Sequence, residues 1–466
     1  MAMGKRKQQR QEALFLSVDD LPKSGGHPFY LKLNQLLLEA DFDRWIEGRC
    51  APYYHQTERR GQPSIPPGIY FRMVMVGFFE DISSHRGIAW RCADSLSLRA
   101  FLGIPLHDST PDHSTLSLTR RRLPPELFQE IHRFVLAIAA EKGLISGKTV
   151  GVDSTLLEAN AAMKSIVRRD TGEDWKAYIA RLMQEAGAIE AEHPPTDEEI
   201  RRFDKARKNK KVSNEDWVSA TDPDSRIAKM KDGRTHLAYK AEHVVDLESD
   251  LLLAAEIHLA TDSDTDTLVD SVLQAQLNLA AAGSDAQIEE VAADKGYHAD
   301  QTLELAESLG LRTYIPEPAR EHERTWTDKP VEFRAATVNN RRRVRRKKGK
   351  QLQRERSEHC ERTFAHMCDT GGSRRSWLHG LVNVTKRYLI AAAAHNLGRI
   401  LRKLFGVGKP RVLQGLAGLT ALVQLLSAWL RITFAPFRTQ FGAPYVRCAL
   451  FIPSFAPPTF AGDKSD

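Results

Sequence analysis

The chain has 466 residues, too many for one small hydrophobic core, so two or three domains are expected. Hydrophobic residues make up 42% of it and charged residues 27%, as in soluble globular proteins. The net charge of +7 permits a polyanionic partner but does not require one. Five scattered cysteines exclude a disulfide framework and are typical of a cytoplasmic protein with reduced thiols.

No targeting or membrane segment is predicted. The first residues, MAMGKRKQQRQEALF, are basic but hold no apolar stretch before a small-residue cleavage site, so no signal peptide is expected. Residues 413–430 have about the length of a membrane span, but Gln414, Thr420, Gln424 and Ser427 interrupt them. A buried or partner-facing helix is the favoured interpretation, and the protein is expected to be soluble.

Residues 27–147 are predicted to be mainly helical. Residues 69–83 are apolar nearly all round, as in a buried helix, and residues 123–143 begin with prolines and end at a glycine. Between them, Ser114 or Thr115 is the expected N-cap of a short helix that ends in arginines. This region has about the size of a DNA-binding domain, although no spacing within it proves that role.

Runs of strand-like residues follow in order. The run at 149–153 stops at an aspartate, 236–250 and 251–260 read as a hairpin, and further strands are expected at 287–294 and 311–317. Helices are predicted at 265–283 and across 356–404. This order describes a mixed α/β domain with a central sheet.

Two charged segments stand outside that pattern. Residues 161–217 read as a helical insertion of two helices with a break at 193–199. Residues 341–356 hold ten Lys or Arg among sixteen, which fits a solvated loop or a surface for phosphates. The sequence has no glycine-rich phosphate loop followed by Lys-Ser/Thr, so no nucleotide cofactor is expected.

Two predicted strands end in a carboxylate, Asp153 and Asp294. Ligand-binding groups gather at strand ends in α/β sheets, and two carboxylates there could chelate Mg²⁺ for phosphodiester chemistry. The simpler alternatives are a helix N-cap for Asp153 and a plain turn at Asp294. A third carboxylate would come from the helix that follows; Glu361 is favoured, and spacing alone does not select it over Glu358.

A zinc site near this helix is not expected. His359, Cys360, His366 and Cys368 lie at spacings that cannot bring all four onto one ion, and no CxxC pair is present.

Together these motifs resemble a DDE-type transposase of a bacterial insertion sequence. The matching stretches include PDHSTLS (111–117), VGVDSTLLEAN (150–160), DPDSRIAKMKDGRTHLAYKAEHVVD (222–246), ADKGYHAD (293–300) and CERTFAHMCDTGGSRRSWLHG (360–380). The resemblance implies an RNase H-like mixed sheet with flanking helices, preceded by an all-helical domain and carrying a helical insertion. It implies Asp153, Asp294 and Glu361 as the catalytic, metal-binding triad.

One motif of related transposases is missing. They carry Tyr, Arg and Lys around the last glutamate, where this chain has Arg354, Ser357 and Cys368. Candidate DNA contacts are therefore drawn from basic residues near the motifs and in the helical domain: Arg120, Arg121, Arg122, Lys295, Arg341, Arg342, Arg343, Arg345, Arg346, Arg356, Arg362, Arg374 and Arg375.

The resemblance implies an enzyme that cuts DNA at the terminal inverted repeats of its element and joins the 3′ ends to target DNA. Two Mg²⁺ or Mn²⁺ ions would serve the reaction. The partners would be DNA and at least a second copy of the chain, in the bacterial cytoplasm at the nucleoid and not at a membrane. The alternatives are an RNase H-like nuclease without strand transfer and a catalytically inactive DNA-binding protein.

Three segments are expected by this interpretation. Residues 1–147 would bind DNA ends, residues 148–405 would form the catalytic domain with its insertion at about 161–217, and residues 406–466 would be a hydrophobic tail of unknown role.

Overall fold

Helices account for most of the chain before the first strand. The computed structural model describes residues 26–54, 64–189, 194–208, 212–319, 324–327 and 329–410. Within them the early helices are α1 Pro28–Glu39, α2 Phe42–Cys50, α3 Pro67–Phe79, α4 His85–Asp94, α5 Leu96–Leu102, α6 His113–Arg122 and α7 Pro125–Glu141. The predicted helical region is confirmed.

Local chemistry sets where these helices begin. Helices α3 and α7 start with Pro67 and Pro125 in their first turns, where the missing N–H costs no hydrogen bond. Helix α6 is capped by Asp112, whose Oδ1 accepts a 2.8 Å hydrogen bond from the Ser114 backbone N–H. The predicted N-cap at Ser114 or Thr115 is therefore wrong, because the aspartate two residues earlier reaches the free N–H groups first.

A mixed six-stranded sheet lies at the centre of the following region. Its strands are β1 Thr149–Glu158, β4 Arg226–Lys229, β5 Thr235–Asp246, β6 Leu252–Leu259, β7 Glu290–Ala292 and β8 Arg312–Tyr314. Strand β5 pairs antiparallel with β1 along one edge and with β4 and β6 along the other. Strands β1, β7 and β8 run parallel. The predicted hairpin is β5–β6.

Strand β1 does not stop at Asp153, as the sequence suggested, but continues to Glu158. The reason is its long partner, because Asp153 pairs with His243 and the ladder runs on to Glu158 opposite Ala238. Backbone pairing along β5 therefore keeps the polar residues after Asp153 extended. Asp153 lies in the middle of a strand, and the N-cap alternative for it is wrong.

Helices cover both faces of the sheet. They are α10 Asp264–Ala281, α11 Asp300–Ser308, α12 Val331–Arg345, α13 Lys347–Phe364 and α14 Leu381–Phe405, with a π-helical turn at Ala365–Asp369. Val150, Val152 and Val244 pack into a core with α10. On the other face, His243 of β5 contacts Thr363 of α13 and Tyr388 of α14 at 2.8 Å each.

The basic run at 341–356 forms the end of α12 and most of α13, so the alternative of a solvated loop is wrong. The insertion contains the two predicted helices, α8 Trp175–Glu185 and α9 Asp197–Ala206. It also contains a two-stranded ribbon, β2 Ile166–Arg168 with β3 Trp217–Ser219, which periodicity did not predict because each strand has only three residues. Residues 190–193, which include the first residue of the predicted break at 193–199, lie outside the described residues.

The early helices and α14 share one hydrophobic core, which includes Phe29, Phe71, Phe128 and Leu397. The described residues up to Pro410 belong to one compact unit. The division into three segments stays a prediction, and the expected tail falls almost entirely outside the described residues.

Within the described ranges, no helix is both long and apolar enough to cross a membrane. The apolar segment 413–430 lies outside those ranges.

Candidate active site

Asp153 in β1 and Asp294, just after the end of β7, occupy equivalent positions when the register of these two neighbouring parallel strands is continued. The register of β1 and β7 pairs Thr149 with Glu290 and Gly151 with Ala292. Each aspartate comes two residues after the last of these pairs. Because neighbouring strands are about 4.8 Å apart, continuing this register brings the two carboxylates side by side.

The Asp153 carboxylate points to the sheet face that α13 covers. A Cβ on Gly151 would lie 3.0 Å from Arg356 Cγ and 3.3 Å from Cys360 Sγ of that helix. Ala292 packs in one cluster with Leu352 of α13. Side chains two residues apart on a strand share a face, so Asp153 faces α13 as Gly151 does. Asp294 follows the end of β7 and is close enough for its charge to raise the pKa of Asp153.

Asp153 is held by a cation. Arg356 Nη1 donates a 2.9 Å hydrogen bond to Asp153 Oδ2, and both side chains are largely buried. Burial raises the pKa of Asp153 to about 6; Arg356 opposes this rise and the nearby Asp294 adds to it. Arg356 thus neutralises the carboxylate where the sequence analysis expected a metal ion.

Asp294 begins a 3-10 turn at Lys295–Tyr297. Its Oδ1 accepts a 2.7 Å hydrogen bond from the Gly296 backbone N–H. The plain-turn alternative therefore describes its local conformation correctly. A Cβ on Gly296 would lie 3.0 Å from both Asp294 Oδ1 and Asp264 Oδ2. The glycine keeps open the space between these two carboxylates.

Glu361 lies on α13 and is exposed; its Oε1 accepts a 2.9 Å hydrogen bond from Ser357 Oγ. Glu358 is instead paired with Arg362. Burial raises the pKa of the Cys360 thiol well above its usual value, and the charges of Asp153 and Glu361 raise it further. The Glu361 carboxylate is therefore close to the thiol that packs against β1 beside Asp153.

Two positions of the missing motif, Ser357 and Cys368, have other surroundings in this structure. Ser357, which stands at the motif's arginine position, supports Glu361, and Cys368, at its lysine position, is buried. Neither can supply the positive charge that related transposases place there.

Helix α13 is fixed to the β5–β6 turn by Asp250. This residue adopts the left-handed region with φ 61°. Its carboxylate is paired with His359 and Arg362 of α13 and with Arg399 of α14. Burial opposes ionisation, but these three partners together hold the pKa of Asp250 well below its usual value. The anchor sets where Arg356 and Glu361 lie along the sheet.

A polar network lies on the opposite face of β1, and it was not predicted from the sequence. Ser154 Oγ donates to Asp264 Oδ1 at 2.9 Å, and Lys240 Nζ lies 3.1 Å from the same oxygen. Thr267 and Tyr297 both donate to Glu242 Oε2. The signal was the repeated Asp and Thr of TDSDTDT at 261–267, which looked like the start of a helix and nothing more.

A groove of about 690 Å³ opens along the second half of β1, from Ser154 to Glu158, and neither Asp153 nor Asp294 lines it. Its wall includes Lys229, Lys231, Lys240 and Arg374 as well as acidic side chains. The charge of Lys231 is near enough to lower the pKa of Asp153.

The predicted DNA contacts divide into two groups. Six are exposed and form no ion pair within the described part of the chain: Arg121, Arg122, Lys295, Arg342, Arg345 and Arg346. The other seven have protein partners or are partly enclosed: Arg120, Arg341, Arg343, Arg356, Arg362, Arg374 and Arg375. The sequence could not separate the groups because both have the same residue type.

The residues fit a divalent cation in part. The charges of Asp153 and Asp294 are close together, and Gly296 leaves room beside Asp294. Across the described ranges, however, no three His, Cys, Asp or Glu side chains are arranged to hold a metal ion. Arg356 and Ser357 occupy oxygens of Asp153 and Glu361 instead. A zinc site was not expected from the sequence. The four described cysteines are free and buried: Cys50, Cys92, Cys360 and Cys368.

A helical region followed by a mixed sheet with flanking helices is the architecture of an RNase H-like DDE domain. Residues 19–122 match the model of a transposase domain of the DUF772 family, and residues 194–397 match the transposase DDE domain. Together the two matches support a DDE-type insertion-sequence transposase. The second match includes Asp294 and Glu361 but begins after Asp153. Searches of curated proteins and of solved structures gave no match.

Proposed function

We propose that this transposase cuts DNA at the terminal inverted repeats of its own element and joins the resulting 3′ ends to target DNA. The proximity of Asp153 in β1 and Asp294 just after the end of the parallel strand β7 carries the proposal. Asp153, Asp294 and Glu361 would hold two Mg²⁺ or Mn²⁺ ions. Such ions, when bound, activate the attacking oxygen and stabilise the leaving oxygen of a phosphodiester.

The protein's own residues have separate tasks in this proposal. The two aspartates orient the reacting phosphate at the sheet, and Arg356 releases Asp153 when cations and DNA enter. Lys229, Lys231 and Arg374 guide the strand along the groove beside β1. The exposed arginines of α12 contact the backbone farther along, and the early helices read the ends.

The reaction also suggests the assembly. Two element ends must be cut and joined together, which needs at least two active sites. We therefore propose a homodimer or larger complex on DNA, acting at the bacterial nucleoid in the cytoplasm.

The test is cleavage of labelled DNA carrying the element's ends, with Mg²⁺, by wild type and by Asp153→Asn. The near-isosteric variant should bind the ends as wild type does and lose cleavage by at least roughly a thousandfold, because it removes a ligand charge. Cleavage that survives Asp153→Asn would remove this residue from the triad.

A second pair of variants assigns the third acid. Glu361→Gln should lose cleavage, whereas Glu358→Gln should keep it, because Glu358 is already paired with Arg362. The opposite result would exchange their roles. Cleavage without joined products would favour the nuclease, and end binding without cleavage by wild type would favour an inactive DNA-binding protein.

A further inference from the structure

A separate cavity of about 260 Å³ lies where the early helices meet α14. Its wall includes Tyr70 and Phe78 of α3, Ile390 of α14 and the segment around Gly371. None of the proposed triad lines it, so the cavity is distinct from the candidate active site.

Three cationic side chains converge on this cavity. They are Arg120 of α6 and the neighbouring Lys386 and Arg387 of α14. Lys386 is only 5% exposed, and its Nζ donates to the Arg120 carbonyl at 3.2 Å. Arg387 donates to the Gly372 carbonyl at 3.0 Å. The Arg120 side chain lies 3.4 Å from His85 Nε2, and its Nε is buried without a hydrogen-bond partner.

Two acidic side chains lie near these cations. The charge of Glu126 raises the pKa of Lys386, and a Cβ on Gly372 would lie 3.1 Å from Asp81 Oδ1 and 4.0 Å from Arg387 Nη2. In the part of the chain that the structure describes, no carboxylate forms an ion pair with Arg120, Lys386 or Arg387. Burial, and then the charge of Arg120, lower the pKa of Arg387 to about 10. Burial lowers the pKa of His85 to about 4, so its Nε2 accepts from Arg120 at neutral pH. The cations therefore repel one another inside the protein.

A group of buried, unpaired cations is costly unless an anion enters. Two arginines and a lysine with free donors match the oxygens of a phosphate. We propose that this cavity binds a phosphate group, supplied either as a free phosphate ion or as a phosphate of a DNA chain. Trp377 of the wall is 51% exposed with Arg375 over its ring, and its free face suits stacking of a base in the second case.

The test is calorimetric titration of the full chain in buffer without Mg²⁺ or phosphate, with two probes: inorganic phosphate and the dinucleotide pTpT. Wild type should bind at least one probe. Lys386→Met and Arg387→Met should each weaken that binding about tenfold or more, since each removes a charged donor. Arg44→Gln, which changes an 88% exposed arginine on α2, should bind as wild type does.

The same variants provide a folding check. In phosphate-free buffer, Lys386→Met should melt no lower than wild type, because it replaces a buried unpaired cation with an apolar chain of similar length. Phosphate should then raise the melting temperature of wild type and not of the variant. Binding of inorganic phosphate identifies a free-ion site, and binding of pTpT alone identifies a DNA phosphate. The proposal is overturned if wild type binds neither probe or if both Met variants bind at full strength. Because no cleavage is measured, these results are independent of the proposed transposition.

Discussion

Arg356 contributes a positive charge beside Asp153 that a metal ion would otherwise supply. The ion pair is only 13% and 20% exposed at its two side chains, so water screens it weakly. Such a cation keeps two neighbouring carboxylates stable in the absence of metal, but it must compete with any metal that binds there.

Arg356→Gln should therefore bind Mn²⁺ about tenfold more tightly than wild type at pH 8, because the competing hydrogen-bonded charge is gone. Arg356 also lowers the pKa of Asp153, so the gain should shrink near pH 6 as protons compete. Electron paramagnetic resonance of free Mn²⁺ measures this without DNA. Arg354→Gln, an exposed change on the same helix, should have no effect. Equal affinity in Arg356→Gln would contradict the competition.

Glu256 of β6 makes the stability of the folded protein depend on pH. It lies directly opposite Glu242 in the β5–β6 ladder, and its Oε1 has no hydrogen-bond partner. Burial and then Glu242 raise the pKa of Glu256 from 4.5 to about 7. The folded state thus binds the proton more tightly than the unfolded state, so stability falls as pH rises from 4.5 to about 7.

Glu256→Gln should remove that fall. At pH 8 the variant should be more stable than wild type by about 3 kcal/mol, and near pH 4.5 the two should be nearly equal. Urea denaturation across this range gives the difference. Glu248→Gln, at an exposed position, should follow wild type throughout. A constant difference at all pH values would mean that Glu256 does not titrate.

At the scale of elements, the joint between α12 and α13 determines the position of α13, the helix that carries Arg356 and Glu361. Gly349 is buried in the first turn of α13, and a Cβ there would lie 2.3 Å from the Arg343 carbonyl oxygen and 2.7 Å from Val344 Cα. Both are backbone atoms, so no side-chain rotation relieves the clash. The close crossing of the two helices therefore requires glycine.

Gly349→Ala should destabilise the protein by about 3 kcal/mol, although alanine is normally the better helix former by about 1 kcal/mol. Gly398→Ala on α14 is the matched control, since its Cβ would meet only Lys409 Cε at 3.7 Å. That variant should be neutral or stabilising. Chemical denaturation measures both, and two equal effects would show that helix propensity, not the crossing, decides the outcome.

At the scale of the whole molecule, some basic residues form ion pairs within the protein and others are exposed without an ion pair among the described residues. Arg341 pairs with Glu317, whereas Arg342, Arg345 and Arg346 on and after α12 are exposed. Only the exposed charges can release counterions from DNA.

Replacing Arg342, Arg345 and Arg346 together with Gln should weaken binding of any DNA sequence. The slope of log Kd against log salt should fall by about 2 to 3, nearly one for each phosphate that the variant no longer neutralises. Arg341→Gln should leave the slope unchanged because Glu317 already neutralises that charge. Fluorescence anisotropy at several salt concentrations measures both, and an unchanged slope in the triple variant would place the DNA elsewhere.

The sequence by itself determined the order of the main helices and of the strands β1, β5, β6, β7 and β8, the hairpin, the helical insertion and the resemblance to a family, but not the short strands β2, β3 and β4. These depend on periodicity, turn residues and short motifs, which are local properties of the chain. It also selected Asp153, Asp294 and Glu361, and that assignment stays a prediction.

Only the tertiary structure decided what those residues contact. The length of β1 follows from pairing with β5, which carries the strand five residues beyond Asp153. The Arg356–Asp153 pair joins residues 203 positions apart, and Arg120 meets Lys386 across 266. Periodicity cannot report such contacts, because they depend on how helices cross the sheet and not on the order of neighbouring residues.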